Sequence, residues 1–460
     1  MSSSFTYWNW FAHASDIWGT RQLGPAAIEI ASRSRLASLV RFARTHSSFY
    51  RDLYQDVPEH AISLDNLPVV TKDQLMQRFD DWVTDPAIKR ADVDAFLADP
   101  NLIGGRYLQR YAVWKSSGST GTPGVFIQDA HAISIYNALL ATQLDTPKLA
   151  ANYALGMLTA GGRSALIAAT GAHFASIASW RGMFGDHSWM PARVFSVMTP
   201  LGLLVDQLNE YQPAFLASYP TVLALLAEEQ RAGRLHIHPT TLWAGGECLT
   251  PMARTEIERV FRYSIIDEYG ASECLSIAYG CREGWLHVNA DWTILEPVNR
   301  NYERVPPGET SHTVLLTNLA NRVQPVIRYD LGDSIILKPE RCACGSSLPA
   351  IQVEGRHDDV LELCAQNGVK VRLLPMALST VVEEASGVHR FQIVQSGPHW
   401  LKLRLDTNGN ANRKAMGQSA CAALRGYLTS QGLPSVRVTM DKQAPTVDVM
   451  SGKLRQIISA

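Results

Sequence analysis

Apolar and polar residues follow different rhythms in different parts of this chain. From about residue 190 to 270, short apolar runs alternate with longer stretches whose apolar residues recur at helical spacing. Ala192–Val197 reads as a strand, Leu201–Tyr211 as a helix, Ala214–Ala217 as a strand and Pro220–Arg231 as a helix. Thr241–Ala244, Pro251–Phe261 and Ser264–Asp267 continue the series as strand, helix and strand. Such alternation predicts a largely parallel, helix-covered sheet, whose ligands sit at the C-terminal ends of its strands. Two of those ends are conspicuous, Ala244–Glu247 (AGGE) and Glu268–Glu273 (EYGASE). Residues 1 to about 110 read as mostly helical, with Ile28–Phe49 mixing apolar positions and arginines, and Trp8, Trp10 and Trp18 read as packing residues. Ala130–Leu144 reads as a further helix, and the small residues of Ala165–Ile177 permit close packing.

From about Asp358 the rhythm changes again. Val388–Gln395, Leu401–Leu405 and Val436–Thr439 read as strands around a helix over Asn412–Ser430. The expected fold is α/β: a large N-terminal domain over residues 1–357, with helix-covered, largely parallel sheets, joined by a hinge to a small C-terminal α+β domain over 358–460.

Composition narrows the function classes. At 460 residues with 46% hydrophobic content, the chain can bury large cores in two or three domains. Lys and Arg number 42 against 43 acidic residues, so no strong field favours nucleic acid or an anionic membrane. The start of the chain lacks a cationic segment followed by an apolar core, and the small-residue run Ala165–Trp180 is broken by His173, which indicates neither secretion nor membrane insertion. Seven cysteines, an odd number spread along the chain, suit a reducing cytoplasm better than a disulfide framework.

The candidate chemistry centres on Lys115–Val125, KSSGSTGTPGV, which follows an apolar lead-in at Tyr111–Trp114. Gly118, Gly121 and Gly124 let successive N–H groups turn toward an anion, while Ser116, Ser117, Ser119, Thr120 and Thr122 offer hydroxyls, as a phosphate cradle requires. The bland alternative is a flexible Ser/Gly surface loop. Neither GxxxxGK(S/T) nor GxGxxG fits its spacing.

Ser116–Pro123 resembles the ATP loop of the adenylate-forming enzymes, (S/T)(S/T)G(S/T)TGxP, at every position. That family usually has Lys after the Pro, where this chain has Gly124. Four further segments match the family in order. Tyr269-Gly270-Ala271-Ser272-Glu273 resembles its YGx(S/T)E, which implies that Tyr269 stacks on adenine, Ser272 contacts phosphate and Glu273 holds Mg²⁺. Gly245, Gly246 and Glu247 resemble the segment that borders adenine and the acyl pocket. Val326–Asp333 matches RYxxxD, whose Asp, here Asp333, binds the ribose hydroxyls. Gly355–Asp359 matches GRxDD, which implies Arg356 near the nucleotide and Asp358 at the hinge. The resemblance also carries the adenylation lysine onto Lys453 in Ser451-Gly452-Lys453, although Arg455 stands one position early. Within the superfamily the chain most resembles the phenylacetate coenzyme A ligases and their relatives in capsule and secondary metabolism, and the resemblance covers residues 115–453.

The resemblance implies a two-step ligase. A carboxylic acid attacks the α-phosphate of MgATP, giving acyl-adenylate and pyrophosphate, and coenzyme A then captures the acyl group, with Lys453, Glu273 and Thr120 carrying the first step. His173, Phe174, Tyr219, Gly245 and Ala271 are expected to line the acid pocket, with an aryl or arylalkyl acid expected by analogy. Rival readings are an adenylating enzyme that loads a carrier-protein phosphopantetheine or an amine, and a noncatalytic nucleotide-binding scaffold. A homodimer is open on either reading.

Cys342-Ala343-Cys344-Gly345 and Cys281, six residues before His287, supply three thiols and an imidazole, a tetrahedral donor set for structural Zn²⁺. Against it, CxC is less diagnostic than CxxC and the two pairs are more than fifty residues apart. Cys248, Cys274, Cys364 and Cys421 read as small hydrophobes, and His236 and His238 as surface imidazoles.

Overall fold

Apolar strands long enough to be buried on both faces organise the centre of the molecule. In the computed structural model, residues 3–459 are described except 59–62, 117–123, 144–146, 160, 185–190, 198, 200, 357–360, 367, 374, 389, 408–411 and 448–453. Ser164–Ala168 is buried at every position, as expected for a strand covered by helices on both sides. It belongs to a nine-stranded sheet. Ala192–Ser196, Ser164–Ala168, Phe215–Ser218, Thr241–Gly245 and Ile265–Ala271 lie side by side in parallel. Beyond Ile265–Ala271 the sheet turns antiparallel through Cys274–Gly280, Leu286–Val288, Ala350–Arg356 and Asp333–Leu337.

The fold is α/β, as the alternation indicated, with the parallel pairing confined to five of the nine strands. The crossover helices start where the sequence sets them. Pro220 and Pro251 open Pro220–Arg231 and Pro251–Phe261, where a missing N–H costs nothing. Asp129 caps Ala130–Thr142 by accepting from the Ala132 N–H at 2.7 Å. Ala165–Ile177 resolves into the strand Ser164–Ala168 and the start of the helix Ala175–Phe184.

A three-stranded antiparallel sheet, Thr293–Val298, Thr313–Asn318 and Val326–Asp330, packs with the N-terminal helices Ser3–Gln22 and Pro25–His46 in one apolar cluster. Trp10 packs against that cluster, but Trp18 is 62% exposed, which corrects the packing role expected for it; the side chain of Trp8 lies outside the described residues. His236 and His238 are exposed.

The C-terminal stretch has its own apolar cluster, built entirely from residues between Leu361 and Ile457. Its four-stranded sheet has the order Arg437–Met440, Trp400–Leu405, Phe391–Gly397, Ile457–Ile458, with Pro375–Ser386 and Arg413–Ser430 as its helices. No helix of the described residues is long and apolar enough to cross a membrane.

Candidate active site

A cavity of about 1690 Å³ opens along the C-terminal ends of the parallel strands. Ser116, Gly245, Gly246, Glu247, Glu268–Glu273, Asp333 and Leu454 all line it.

The hydroxyl- and glycine-rich loop leaves and re-enters a two-stranded hairpin, Ala112–Lys115 with Val125–Gln128. Its neck is closed by the Ser116 N–H donating to the Gly124 carbonyl at 2.9 Å and the Gly124 N–H donating to Ser116 Oγ at 2.8 Å. Ser117, Gly118, Ser119, Thr120 and Gly121 lie outside the described residues. A Cβ on Gly124 would stand 2.6 Å from the Phe126 ring, so no side chain fits there without displacing that ring. This gives a steric reason for the absence of a lysine.

The second strand end is a tight turn between Ile265–Ala271 and Cys274–Gly280. Trp114 Nε1 donates to the Ser272 carbonyl at 2.8 Å, and Asn318 Nδ2 donates to the Glu273 carbonyl at 2.9 Å, so the turn is pinned from both sides. Gly270 must be glycine, because a Cβ there would meet the Leu275 carbonyl oxygen at 2.0 Å. Tyr329 OH donates to Glu273 Oε1 at 2.9 Å, which orients a carboxylate that is only 8% exposed.

Asp333 stands just beyond a turn built on Asp330. The Gly332 N–H, at φ 79°, donates to Asp330 Oδ1 and Thr313 Oγ1, both at 3.1 Å. Tyr269 OH then donates to Asp333 Oδ2 at 2.5 Å, joining two motifs 64 residues apart. The backbone of Arg356 pairs with Asp333 in the sheet, so GRxDD begins inside a strand rather than on a free loop. The side chain of Arg356, and Asp358, lie outside the described residues.

Glu247 bridges two parts of the chain. Its Oε2 accepts from Thr221 Oγ1 at 2.7 Å and its Oε1 from the Leu454 N–H at 3.2 Å. That contact holds Leu454 at the cavity, and its neighbour Lys453 lies outside the described residues. Thr250, the cap of Pro251–Phe261, donates to Glu383 Oε2 of Pro375–Ser386 at 2.5 Å, a second contact between the two parts.

Of the expected acid-pocket residues, Phe174, Tyr219, Gly245 and Ala271 line the cavity. His173 does not. It is buried behind the wall, its Nε2 2.9 Å from the Asp99 carbonyl and its ring against Phe96, and burial lowers its pKa. An imidazole next to a cavity-lining Phe is indistinguishable in sequence from one that faces the cavity. Sequence reasoning missed Tyr329, Trp114 and Glu268, although all three stand inside stretches it singled out, and it missed Thr221 altogether. Burial raises the Glu268 carboxyl to about 8, against the opposing effect of Ser276, Trp243 and Gln143. Asp267 is raised to about 6 by burial, despite Arg254 at 2.8 Å.

On the antiparallel edge, one ligand atom each from Cys281, His287, Cys342 and Cys344 lies within 4.8 Å of the others. Cys281 follows the strand Cys274–Gly280, His287 pairs with Ala350, and Gly345, at φ 93°, turns the CxC segment back on itself with its N–H on the Cys342 carbonyl at 3.1 Å. His287 Nδ1 lies 3.2 Å from the Leu348 carbonyl, which leaves Nε2 facing Cys344 Sγ at 3.1 Å. An imidazole with its second nitrogen anchored is the form a metal ligand takes. All seven cysteines are free. Three thiols and an imidazole at this spacing fit a tetrahedral divalent ion.

The fold is shared with a solved coenzyme A ligase. In particular, the structure of 2-hydroxyisobutyryl-CoA ligase in the postadenylation state, with 2-HIB-AMP, aligns with a TM-score of 0.67 at 21% identity, over 95% of this chain and 89% of that one. The same ligase with 2-HIB-AMP and CoA in the thioesterification state aligns with a TM-score of 0.53 at 22% identity, over 93% of this chain and 89% of that one. Protein CapK of Staphylococcus aureus is 25% identical over 140 residues, 30% of this chain and 29% of CapK, so the match spans less than a third of that relative. No protein-family model matches the chain.

Proposed function

We propose that the protein activates a carboxylic acid with ATP, releasing pyrophosphate and forming an acyl-adenylate, and then transfers the acyl group to coenzyme A. The observation that carries this reading is the convergence on one cavity of the Ser116–Gly124 neck, the Tyr269–Asp333 pair, Glu273 and the C-terminal segment at Leu454. In this reading the Tyr269 ring offers a face to adenine, and its hydroxyl fixes Asp333 so that the carboxylate can accept from the ribose diol. Glu273, held by Tyr329, is the residue that would hold Mg²⁺; that ion, when bound, supplies charge neutralisation at the phosphates. N–H and hydroxyl groups of residues 116–121 meet the phosphates, and Arg356 stands near the nucleotide.

The domains proposed are 1–357 and 358–460, hinged at Asp358, and the separate apolar cluster from Leu361 onward supports that division. Lys453 is proposed as the cation that meets the acid's carboxylate and the α-phosphate, and the Leu454 contact with Glu247 supports this. The higher TM-score to the postadenylation state than to the thioesterification state is in keeping with the same arrangement. Cys281, His287, Cys342 and Cys344 are proposed to hold a structural zinc. The phenylacetate-ligase-like subtype and its aryl acid rest on the sequence resemblance, with the aromatic lining of the cavity in support.

The test is acid-dependent ATP–pyrophosphate exchange over aromatic and aliphatic acids, followed by product analysis with coenzyme A and with a carrier protein. Exchange with at least one acid and an acyl-CoA product is expected. Absence of exchange over the whole panel sinks adenylation, and acyl transfer only to the carrier replaces coenzyme A as acceptor.

A further inference from the structure

The strand ends that border the nucleotide side also carry groups the nucleotide reading leaves unused. Gly245 and Glu268 are partners in the parallel register, and Trp243 and Ala217 form another partnered pair two residues back from Gly245. Alternation along a strand therefore puts Ala217, Trp243, Gly245 and Glu268 on one face. Phe215 continues that face, its ring 5.9 Å from Trp243 and 6.0 Å from Trp180. All six line the cavity. The wall is aromatic, with a single carboxyl set into it.

That carboxyl is half-satisfied. Trp243 Nε1 donates to Glu268 Oε2 at 3.0 Å, whereas Oε1 is buried without a well-formed hydrogen bond among the described residues, although Ser276 and Gln143 lie nearby. A purely apolar ligand would leave this oxygen desolvated and unpaired, which costs free energy and gains nothing. A ligand bringing an N–H or O–H donor to the same depth completes it, and tryptophan rings beside a carboxyl also suit an ammonium group. Space is available there, because Ala217 and Gly245, which line the cavity beside Glu268, are small.

The geometry points to Glu268 as the specificity residue of the acid pocket, its carboxyl pairing by a hydrogen bond with an amino or hydroxyl group on the acid. This rests on the adenylation reading above. A site built to pair a donor discriminates strongly against the analogue that lacks it, because its own polar group is then left unpaired.

The experiment uses matched sets of acids, each an unsubstituted aryl or alkyl acid with its amino and hydroxy counterparts. Exchange is measured with wild type, Glu268→Gln and Glu268→Leu, with thermal melting to show that each variant folds. Wild type is expected to favour a donor-bearing member over its unsubstituted parent by at least about tenfold in kcat/KM. Glu268→Leu should erase or invert that preference, and Glu268→Gln, which keeps an acceptor oxygen, should retain part of it. Comparing the amino and hydroxy members identifies the donor. Preference for unsubstituted acids in wild type, or a preference untouched by Glu268→Leu, overturns this assignment while leaving adenylation standing. Exchange with no acid at all overturns adenylation; calorimetric binding of the same acids to wild type and Glu268→Leu then decides Glu268 by the same criterion.

Discussion

The two halves of the central sheet solve different problems. The parallel half is assembled from consecutive strand–helix units, its strands are largely apolar, and it presents its ligand-facing groups, Gly245 and Glu268, toward the strand ends, with Glu268 tied only to Trp243 of the neighbouring strand by a well-formed hydrogen bond among the described residues. The antiparallel half gathers strands from 274 to 356, and the functional groups at its margin are held by polar ties: Tyr329 on Glu273 and Tyr269 on Asp333. Apolar packing there fills space, while hydrogen bonds aim the carboxylates. Each tie to a charged group contributes roughly 1.5–3 kcal/mol. Substitutions in the two halves should therefore fail in different ways.

The sharpest test of that contrast is Glu273→Gln and Asp333→Ala in the antiparallel half. Each should lower acid-dependent pyrophosphate exchange by on the order of 10²–10³-fold, a loss beyond the lower melting temperature that removal of a tie worth roughly 1.5–3 kcal/mol brings. Near wild-type exchange in either variant removes that residue from the site.

Lys453 comes next, since it belongs to neither half of the sheet. Lys453→Ala should slow the reaction from ATP and acid by up to about 10²-fold, yet leave thioester formation from supplied acyl-adenylate and coenzyme A near wild type. Equal losses in both assays would make it a folding or closure residue, and no loss in either would reduce it to a surface lysine.

Metal removal sharpens the comparison further, because the Cys/His cluster ties the edge of the antiparallel half alone. Freshly purified protein should contain about one zinc per chain. Cys342→Ser or Cys344→Ser should lose it and melt several degrees lower. Metal-free, equally stable wild-type protein would refute the assignment.

An effect read on stability alone is a slope with pH from the parallel half. Glu268 is raised from 4.5 to about 8 in the folded chain. Between those values the folded state retains a proton that the unfolded state has released, so this group's contribution to stability falls as pH rises through the window. Glu268→Gln should therefore gain stability relative to wild type between pH 5 and 8, read as a difference in Tm. Asp267, raised to about 6, acts in the same direction and leaves a residual slope in the variant. A constant difference in Tm across the range would contradict the burial of Glu268.

The parallel half was legible because its strands and helices carry local periodicity: Leu201–Tyr211, Pro220–Arg231 and Pro251–Phe261 begin and end where the sequence reading put them. The antiparallel half was less so. Ala350–Arg356 is a strand in this sheet because Leu286–Val288, far back in the chain, pairs with it, which no short-range pattern records. At the site, motif spacing led to Tyr269, Glu273 and Asp333, whereas Tyr329, Thr221 and Trp114 act through tertiary contacts and escaped it. His173 shows the converse error, a residue type suited to chemistry placed behind the wall. Glu268 was passed over because one carboxyl before a tyrosine has no signature until its neighbours in space are known.

The two glycines at the strand ends differ in what they permit. At Gly270 an added methyl would collide with the Leu275 carbonyl oxygen at 2.0 Å, so the position is closed to variation and holds the hairpin geometry of the nucleotide side fixed. At Gly245 the nearest atom to such a methyl is the Glu268 carbonyl oxygen at 3.4 Å, an ordinary contact. Nature and the protein engineer therefore have one adjustable stop in this wall: side chains of increasing size at 245 would narrow the cavity stepwise beside Glu268.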